Sequence, residues 1–225
     1  MIRRQNSCSD RAAESGPPAA AGHAVAQANR FFPATAMPDA DWWEVLWPQP
    51  CRVLADLGVE PGMTVIDLCC GDGLFTAVLA RMARRVIAID LDPGMARVAQ
   101  ARVAAVGAAN CTLIIGDALE VALLVSEPVD FVLVANTFHG VPDKRRLARA
   151  VAAVLKPAGR LAIVNWHYLP REETTVLGKP RGPQTELRMT PEDVAAAVKP
   201  AGLDPLRVVE LPPYHYAAVF HKRRA

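Results

Sequence analysis

Residues 65–75 read VIDLCCGDGLF, and the fold turns on how this stretch is parsed. Val65 to Leu68 is a short apolar run holding Asp67, the composition of a buried strand whose end carries a carboxylate. Gly71 and Gly73 then permit a tight turn and let the backbone pass close to a ligand. GLFTAVLARMA has helical spacing, so the first turn of that helix offers its unpaired amides to the same place. Strand, glycine turn and helix in this order predict the opening unit of an α/β sheet, with its ligand beyond the carboxyl ends of the strands.

The rhythm continues on both sides. A helix is predicted over about residues 52–57, ending at Gly58. RVIAID, CTLIIGD, VDFVLVAN and RLAIVNW are further apolar runs of strand length. Between and after them, PGMARVAQARVAAV, KRRLARAVAAVL and TPEDVAAAVKPAG are predicted helices, the last opened by the start signature Thr190-Pro191-Glu192. LRVVEL and YHYAAVFHK, joined by Pro-Pro-Tyr, read as a hairpin. The expected fold class is therefore α/β: a doubly wound, mostly parallel sheet with a C-terminal antiparallel hairpin. Residues 1–28, rich in Ala, Ser, Gly and Pro, are expected to be a disordered tail. Residues 29–50 are expected to form an aromatic cap segment, in which Asp41 caps a short helix carrying Trp42, Trp43 and Trp47. Residues 51–225 make the α/β domain, with 167–189 a loop long enough to serve as a substrate lid.

On this parsing the strand ends carry Asp67, Asp90 (followed by Asp92), Asp117 and Asn136, a polar row along one rim. A carboxylate 23 residues after Asp67, at the end of the second strand, suits a ribose diol. The dinucleotide fingerprint is incomplete: counted from Gly71, its third glycine falls on Thr76. Asp67 and Asp72 would also repel a pyrophosphate.

VIDLCCGDG resembles the first motif of the class I S-adenosylmethionine-dependent methyltransferases, Asp-x-Gly-x-Gly-x-Gly, with Cys69 in place of the first glycine. VIAIDLDPGM resembles the second motif and IIGDA the third, and residues 129–164 resemble the stretch through the fourth and fifth strands, with Ala158 replacing a glycine of the LKPGGRL turn. The four motifs stand in order over roughly residues 50–222. The small-molecule, type 11-like branch is the nearest pattern. The resemblance implies S-adenosyl-L-methionine as cofactor. It assigns Asp67, Cys69, Gly71 and Gly73 to the turn that holds the methionine end, and Asp90 to the ribose hydroxyls. Met95 then packs by the adenine, Asp117 and the Ala118 amide read its edge, and Leu91 and Asn136 complete the cofactor-binding set. Carboxylates near the turn suit a cationic sulfonium ligand. A cysteine in the first-glycine place is tolerated at β-like φ, which is the expectation for Cys69. Cys69 and Cys70 are then packing residues, a set of thiolates with Cys51 and Cys111 for a metalloid acceptor being the alternative.

Methyl transfer is an in-line displacement at carbon, and a base is needed only for an acceptor that arrives protonated. His139, after the fourth strand, is the candidate catalytic base, with a pocket-wall role as the plain alternative. Trp43, Trp47, Trp166, His167, Tyr168 and Tyr214 are candidate acceptor-pocket residues, and Arg171, Lys179, Arg181 and Arg188 make the long loop basic. A net charge of +2 gives no global call for nucleic acid or anionic membrane, so the expected partner is a small-molecule methyl acceptor. No run reaches the ~20 apolar residues of a membrane span, and no Cys/His spacing of the zinc kind occurs. Five cysteines at irregular spacing fit a reducing, cytoplasmic compartment. An RNA or protein methyltransferase, a dehydrogenase, and a catalytically idle cofactor-binding module are the competing readings.

Overall fold

The computed structural model describes Phe32 and residues 35–224, and the expected tail at residues 1–28 lies outside them. After helices α1 (Ala40–Trp43) and α2 (Pro50–Asp56) the chain alternates regularly. It runs β1 (Thr64–Leu68), α3 (Leu74–Met82), β2 (Arg85–Asp90), α4 (Pro93–Ala105), β3 (Cys111–Ile115), α5 (Val121–Leu124) and β4 (Val129–Ala135). Then come α6 (Lys144–Val154), β5 (Leu155–Trp166), the small hairpin β6 (Thr175–Val176) and β7 (Lys179–Pro180), α7 (Pro191–Val198), β8 (Leu203–Leu211) and β9 (His215–Lys222).

The main sheet has the order β3-β2-β1-β4-β5-β9-β8. Pairings from β3 to β5 are parallel, and β9 runs antiparallel to both β5 and β8. The order reverses beside β1, so the switch point lies at the glycine turn. Side chains alternate between two buried layers, as strand geometry requires. Val65, Phe131, Leu133, Val164 and Val219 face the layer of α2, α3 and the aromatic segment. Ile66, Ile89, Val132, Ile163 and Phe220 face the layer of α6 and α7. Both faces are covered, which is why the parallel strands read as continuous apolar runs.

The helix starts are locally encoded. Asp92 caps α4 by accepting from the Gly94 amide at 2.6 Å, ahead of Pro93 at the first helical position. Thr190 and Asp193 form a reciprocal capping box at α7. Asp41 does not cap the aromatic helix: Asp39 occupies the cap position, and Asp41 lies inside the first turn, where its Oδ1 accepts from the Trp42 amide at 2.8 Å. The aromatic run is also broken into α1 and a 3₁₀ turn, Glu44–Leu46, rather than one helix. The short α5 and the 3₁₀ turn before it have too few periodic residues to show in sequence.

Candidate functional site

The turn after β1 is held in left-handed backbone at three points: Cys69 at φ 62°, Gly71 at 55° and Gly73 at 80°. The expectation of β-like φ for Cys69 is thus wrong. The turn keeps the conformation a glycine would supply, and the thiol tolerates the strain in a partly buried position. Gly73 cannot be replaced cheaply, because a Cβ there would come 2.7 Å from the Ala99 Cα of α4. Gly71 faces the aromatic segment: a Cβ would meet the Met37 sulfur at 2.7 Å.

Asp90, at the end of β2, reaches back to this turn. Its Oδ2 accepts from the Gly71 amide at 2.7 Å and its Oδ1 from the Asp92 amide at 2.9 Å. Burial raises its pKa, with these amides opposing. One amide per oxygen leaves each carboxylate oxygen further acceptor capacity. Asp67 is buried below the turn and accepts from the Thr76 hydroxyl at 2.6 Å, which ties β1 to α3. Burial pushes its carboxyl up to about 7, the Thr76 bond opposing and the charges of Asp90 and Asp72 adding. Asp67 therefore supports the turn from beneath. Asp72 sits on the turn, nearly buried, and pairs with Arg102 of α4 at 2.7 Å; the same guanidinium holds Glu44 of the aromatic segment at 3.0 Å.

The other expected residues fall along the same rim. Leu91 and Met95 are half-buried just beyond β2. Asp117 lies two residues past β3 and closes a 3₁₀ turn, Ala118–Glu120, by accepting from the Leu119 amide at 2.9 Å. Asn136 follows β4 directly, at φ 57°. Its amide donates to the Val164 carbonyl at 2.8 Å, while its side-chain oxygen and nitrogen, both buried, find no partner among the described residues. The strand order thus brings Asp117, Asp90, the glycine turn and Asn136 into one row. His139 is buried on a 3₁₀ turn, Phe138–Gly140, three residues past Asn136, and its carbonyl accepts from Lys144 at 3.1 Å. Cys69 and Cys70 are held as thiols, because burial raises both of them strongly and the acidic neighbours add to it.

On the far side of the switch point, the carboxyl end of β5 carries an aromatic stack. Trp166 faces His215 across the β5–β9 register, ring centroids 4.2 Å apart. Trp47 lies 4.7 Å from His215 and 5.1 Å from Phe75 of α3. Trp43 joins edge-on at 5.6 Å, and Tyr214 stacks on Trp166 at 6.1 Å. The long loop closes over this stack. Arg181 lies 4.7 Å from the Trp42 ring, and Arg188 lies 5.3 Å from Trp166. Of the candidate pocket residues, Trp43, Trp47, Trp166 and Tyr214 are brought together. His167 instead pairs with Glu210 at 2.8 Å, and Tyr168 is exposed. Trp42, Arg102, Thr76 and His215 belong to the site's framework and were not among the sequence candidates.

The fit to a sulfonium nucleoside rests on this geometry: a glycine turn open to backbone approach, a tethered carboxylate beside it, and an unpaired buried amide on the neighbouring strand. Residues 65–159 match a family model described as a methyltransferase domain. The demethylmenaquinone methyltransferase of Staphylococcus aureus (strain MRSA252) is 32% identical over 111 residues, 48% of this chain and 45% of that protein. The ubiquinone biosynthesis O-methyltransferase of Methylobacterium sp. (strain 4-46) is 32% identical over 165 residues, 65% of this chain and 63% of that protein. The chain thus spans about half to just under two thirds of the length of these curated relatives. Among solved structures, a SAM dependent methyltransferase from Aquifex aeolicus matches with a TM-score of 0.66 at 27% identity, over 77% of this chain and 89% of that one. The N-methyltransferase NodS from Bradyrhizobium japonicum WM9 shares the fold, with a TM-score of 0.63 at 16% identity over 80% and 98% of the two chains. Fold and family match agree: residues 65–159 are similar to methyltransferase domains, and the chain has the fold of a SAM dependent methyltransferase.

Proposed function

We propose that this chain transfers a methyl group from S-adenosylmethionine to a small-molecule acceptor. The observation that carries the reading is the Asp90 carboxylate, fixed by the Gly71 and Asp92 amides at the switch point of the sheet. When bound, S-adenosylmethionine supplies an electrophilic methyl group on a sulfonium leaving group. The chain's part is to bind, orient and exclude water. Asp90 accepts from the ribose hydroxyls with the lone pairs its tethers leave free. Gly71 and Gly73 admit the methionine end, and Leu91 and Met95 pack by the adenine, whose edge meets Asp117 and the Ala118 amide. The Asn136 side chain has unused donors and an acceptor for the ligand's polar groups. Asp67 acts from below by fixing the turn through Thr76. His139 takes the acceptor proton when the acceptor arrives protonated.

The described part of the aromatic segment, residues 35–50, and the loop 167–189 serve as a cap over the acceptor side, supported by the stacking of Arg181 on Trp42. Two of the relatives are, by their names, a demethylmenaquinone methyltransferase and an O-methyltransferase of ubiquinone biosynthesis, which supports a small acceptor here. A cytoplasmic setting fits the free thiols of Cys51, Cys69, Cys70 and Cys111. Among the described residues no helix is long and apolar enough to cross a membrane. Calorimetric titration with S-adenosylmethionine and S-adenosylhomocysteine tests the cofactor assignment, with Asp90→Ala expected to weaken both at least about tenfold. Folded protein without affinity for either would overturn it. Turnover against a panel of phenols, amines and thiols, with His139→Ala as comparison, tests the transfer itself.

A further inference from the structure

The aromatic segment meets the glycine turn at two points, one apolar and one ionic. Met37 is half-buried and packs against the cluster that holds Trp47 and Phe75. Its sulfur sits over Gly71, so close that a Cβ on that residue would lie 2.7 Å away. Phe32, five residues earlier, packs against the opposite layer, that of α6 and α7. Five residues span at most about 18 Å, so Phe32 and Met37 bracket the carboxyl rim of the sheet beside the turn. The ionic contact runs through Arg102 of α4. Its Nη2 donates to Asp72 Oδ2 at 2.7 Å, and both of its Nη atoms donate to Glu44 Oε1 at 3.0 Å. Asp72 stands between Gly71 and Gly73, and its other oxygen accepts from the Leu74 amide at 3.0 Å, at the start of α3. Glu44 follows Trp43 directly, on the 3₁₀ turn. One guanidinium thus fixes the segment against the same turn that Met37 covers.

We infer that Met37 closes over the methionine end of bound S-adenosylmethionine, with Arg102 the positioning residue that holds the segment shut. This rests on the methyl-transfer reading and adds a residue to its cofactor site. Gly71 joins the two: its amide is taken by Asp90, the carboxylate assigned to the ribose, while its Cα faces the Met37 sulfur. A ligand whose ribose is held by Asp90 and whose methionine end follows the turn toward α3 comes within reach of that side chain. The methionine end carries an apolar methylene chain, and a thioether is a soft, adaptable surface for it. The ionic bridge has one firm half and one loose half. Asp72 is nearly buried, whereas Glu44 is half exposed, so water and salt open the Glu44 contact first. Exchange of the cofactor then requires the Glu44 contact to break and Met37 to lift, which makes the bridge a brake on both entry and release.

Trp42, Trp43 and Trp47 belong to this segment, so stopped-flow tryptophan fluorescence with S-adenosylhomocysteine reads its association and release rates. Met37→Ala is expected to raise both rates about three- to tenfold, and Glu44→Gln about two- to fivefold. Arg102→Met, which frees both acids, is expected to raise them more than Glu44→Gln. Raising NaCl from ~0.05 M to ~1 M should speed release from the wild type and leave release from Glu44→Gln nearly unchanged, a response that a merely structural contact does not give. Rates in Met37→Ala and Glu44→Gln equal to those of the wild type would overturn the inference. So would a salt response that Glu44→Gln shares with the wild type. Both of these substitutions lie at partly exposed positions, so they decide the matter even where Arg102→Met does not fold. Wild-type protein without affinity for S-adenosylhomocysteine in calorimetry would instead fail the methyl-transfer reading, whereas protein that binds it with unaltered rates fails only the closure by Met37.

Discussion

At the residue scale, four described positions accept left-handed backbone without glycine, Cys69, Asn136, Ala158 and Leu177, and two of them carry an expectation. Ala158, at φ 62° in the turn inside β5, is exposed and packs against little. A Cβ in that region costs about 1–2 kcal/mol, partly offset by the extra unfolded-state entropy of glycine. Ala158→Gly is therefore expected to stabilise the protein by about 0.5–1 kcal/mol in urea denaturation. Cys69 is strained in the same way, but its side chain also packs into the core, so the two terms oppose each other there. Asp67 gives a second expectation. Its carboxyl titrates at about 7 in the folded chain and near 3.8 when unfolded, so between those values the folded state holds a proton that the unfolded state has released. Stability should fall as pH rises through this window, by up to about 1.4 kcal/mol per pH unit, and the penalty is complete above pH 7. Asp67→Asn can still accept from Thr76 but cannot ionise. Melting temperatures of ligand-free protein between pH 5 and 8 should show wild type losing ground to the variant toward alkaline pH. Parallel curves would disprove the assignment.

At the element scale, α4 binds the aromatic segment to the glycine turn through one guanidinium. Arg102 is partly buried, Asp72 on the turn nearly so, and Glu44 on the segment half exposed. Removing the buried acid's partner should cost more than removing the exposed acid. Arg102→Met is expected to destabilise by about 1–3 kcal/mol and Glu44→Gln by less than about 1 kcal/mol, both read from urea midpoints. The order of these effects is the test. Legibility in the sequence follows the same division between local and distant causes. The strands, α4 and α7 were readable because apolar runs, prolines and caps lie within a few residues of the element they set, as Asp92 and Thr190 do. The row of Asp90, Asp117 and Asn136 was readable because topology alone places strand ends together. Arg102 was not, since its meaning depends on partners 30 and 58 residues away. His215 was hidden for the same reason: only the β5–β9 register sets it opposite Trp166. The φ of Cys69 was misjudged because a small thiol is compatible with both backbone regions, and the demand came from the turn.

For the whole molecule, the described aromatic segment is part of the core rather than an ornament on it. Trp42, Trp43, Trp47 and Trp166 share one buried cluster with Phe131, Leu133, Val164 and Ala217 of the central strands. Tryptophan fluorescence and far-ultraviolet circular dichroism should therefore report coincident midpoints in urea, the behaviour of a single cooperative unit. A fluorescence transition that precedes the loss of helix signal would show an aromatic segment that detaches on its own. The two layers of side chains also divide the labour: one carries the aromatic stack and α3, the other α6 and α7.

The position of β9 has a consequence for how the molecule is made. Its residues, His215–Lys222, seat between β5 and β8, although β5 is complete at Trp166. During synthesis the outer edge of β5 thus stays open until some fifty further residues have emerged. Over that interval an apolar, unpaired strand faces solvent and other nascent chains, the circumstance in which edge-to-edge association competes with folding. The yield of native protein should then depend on how fast the ribosome delivers this stretch and on which chaperones meet it.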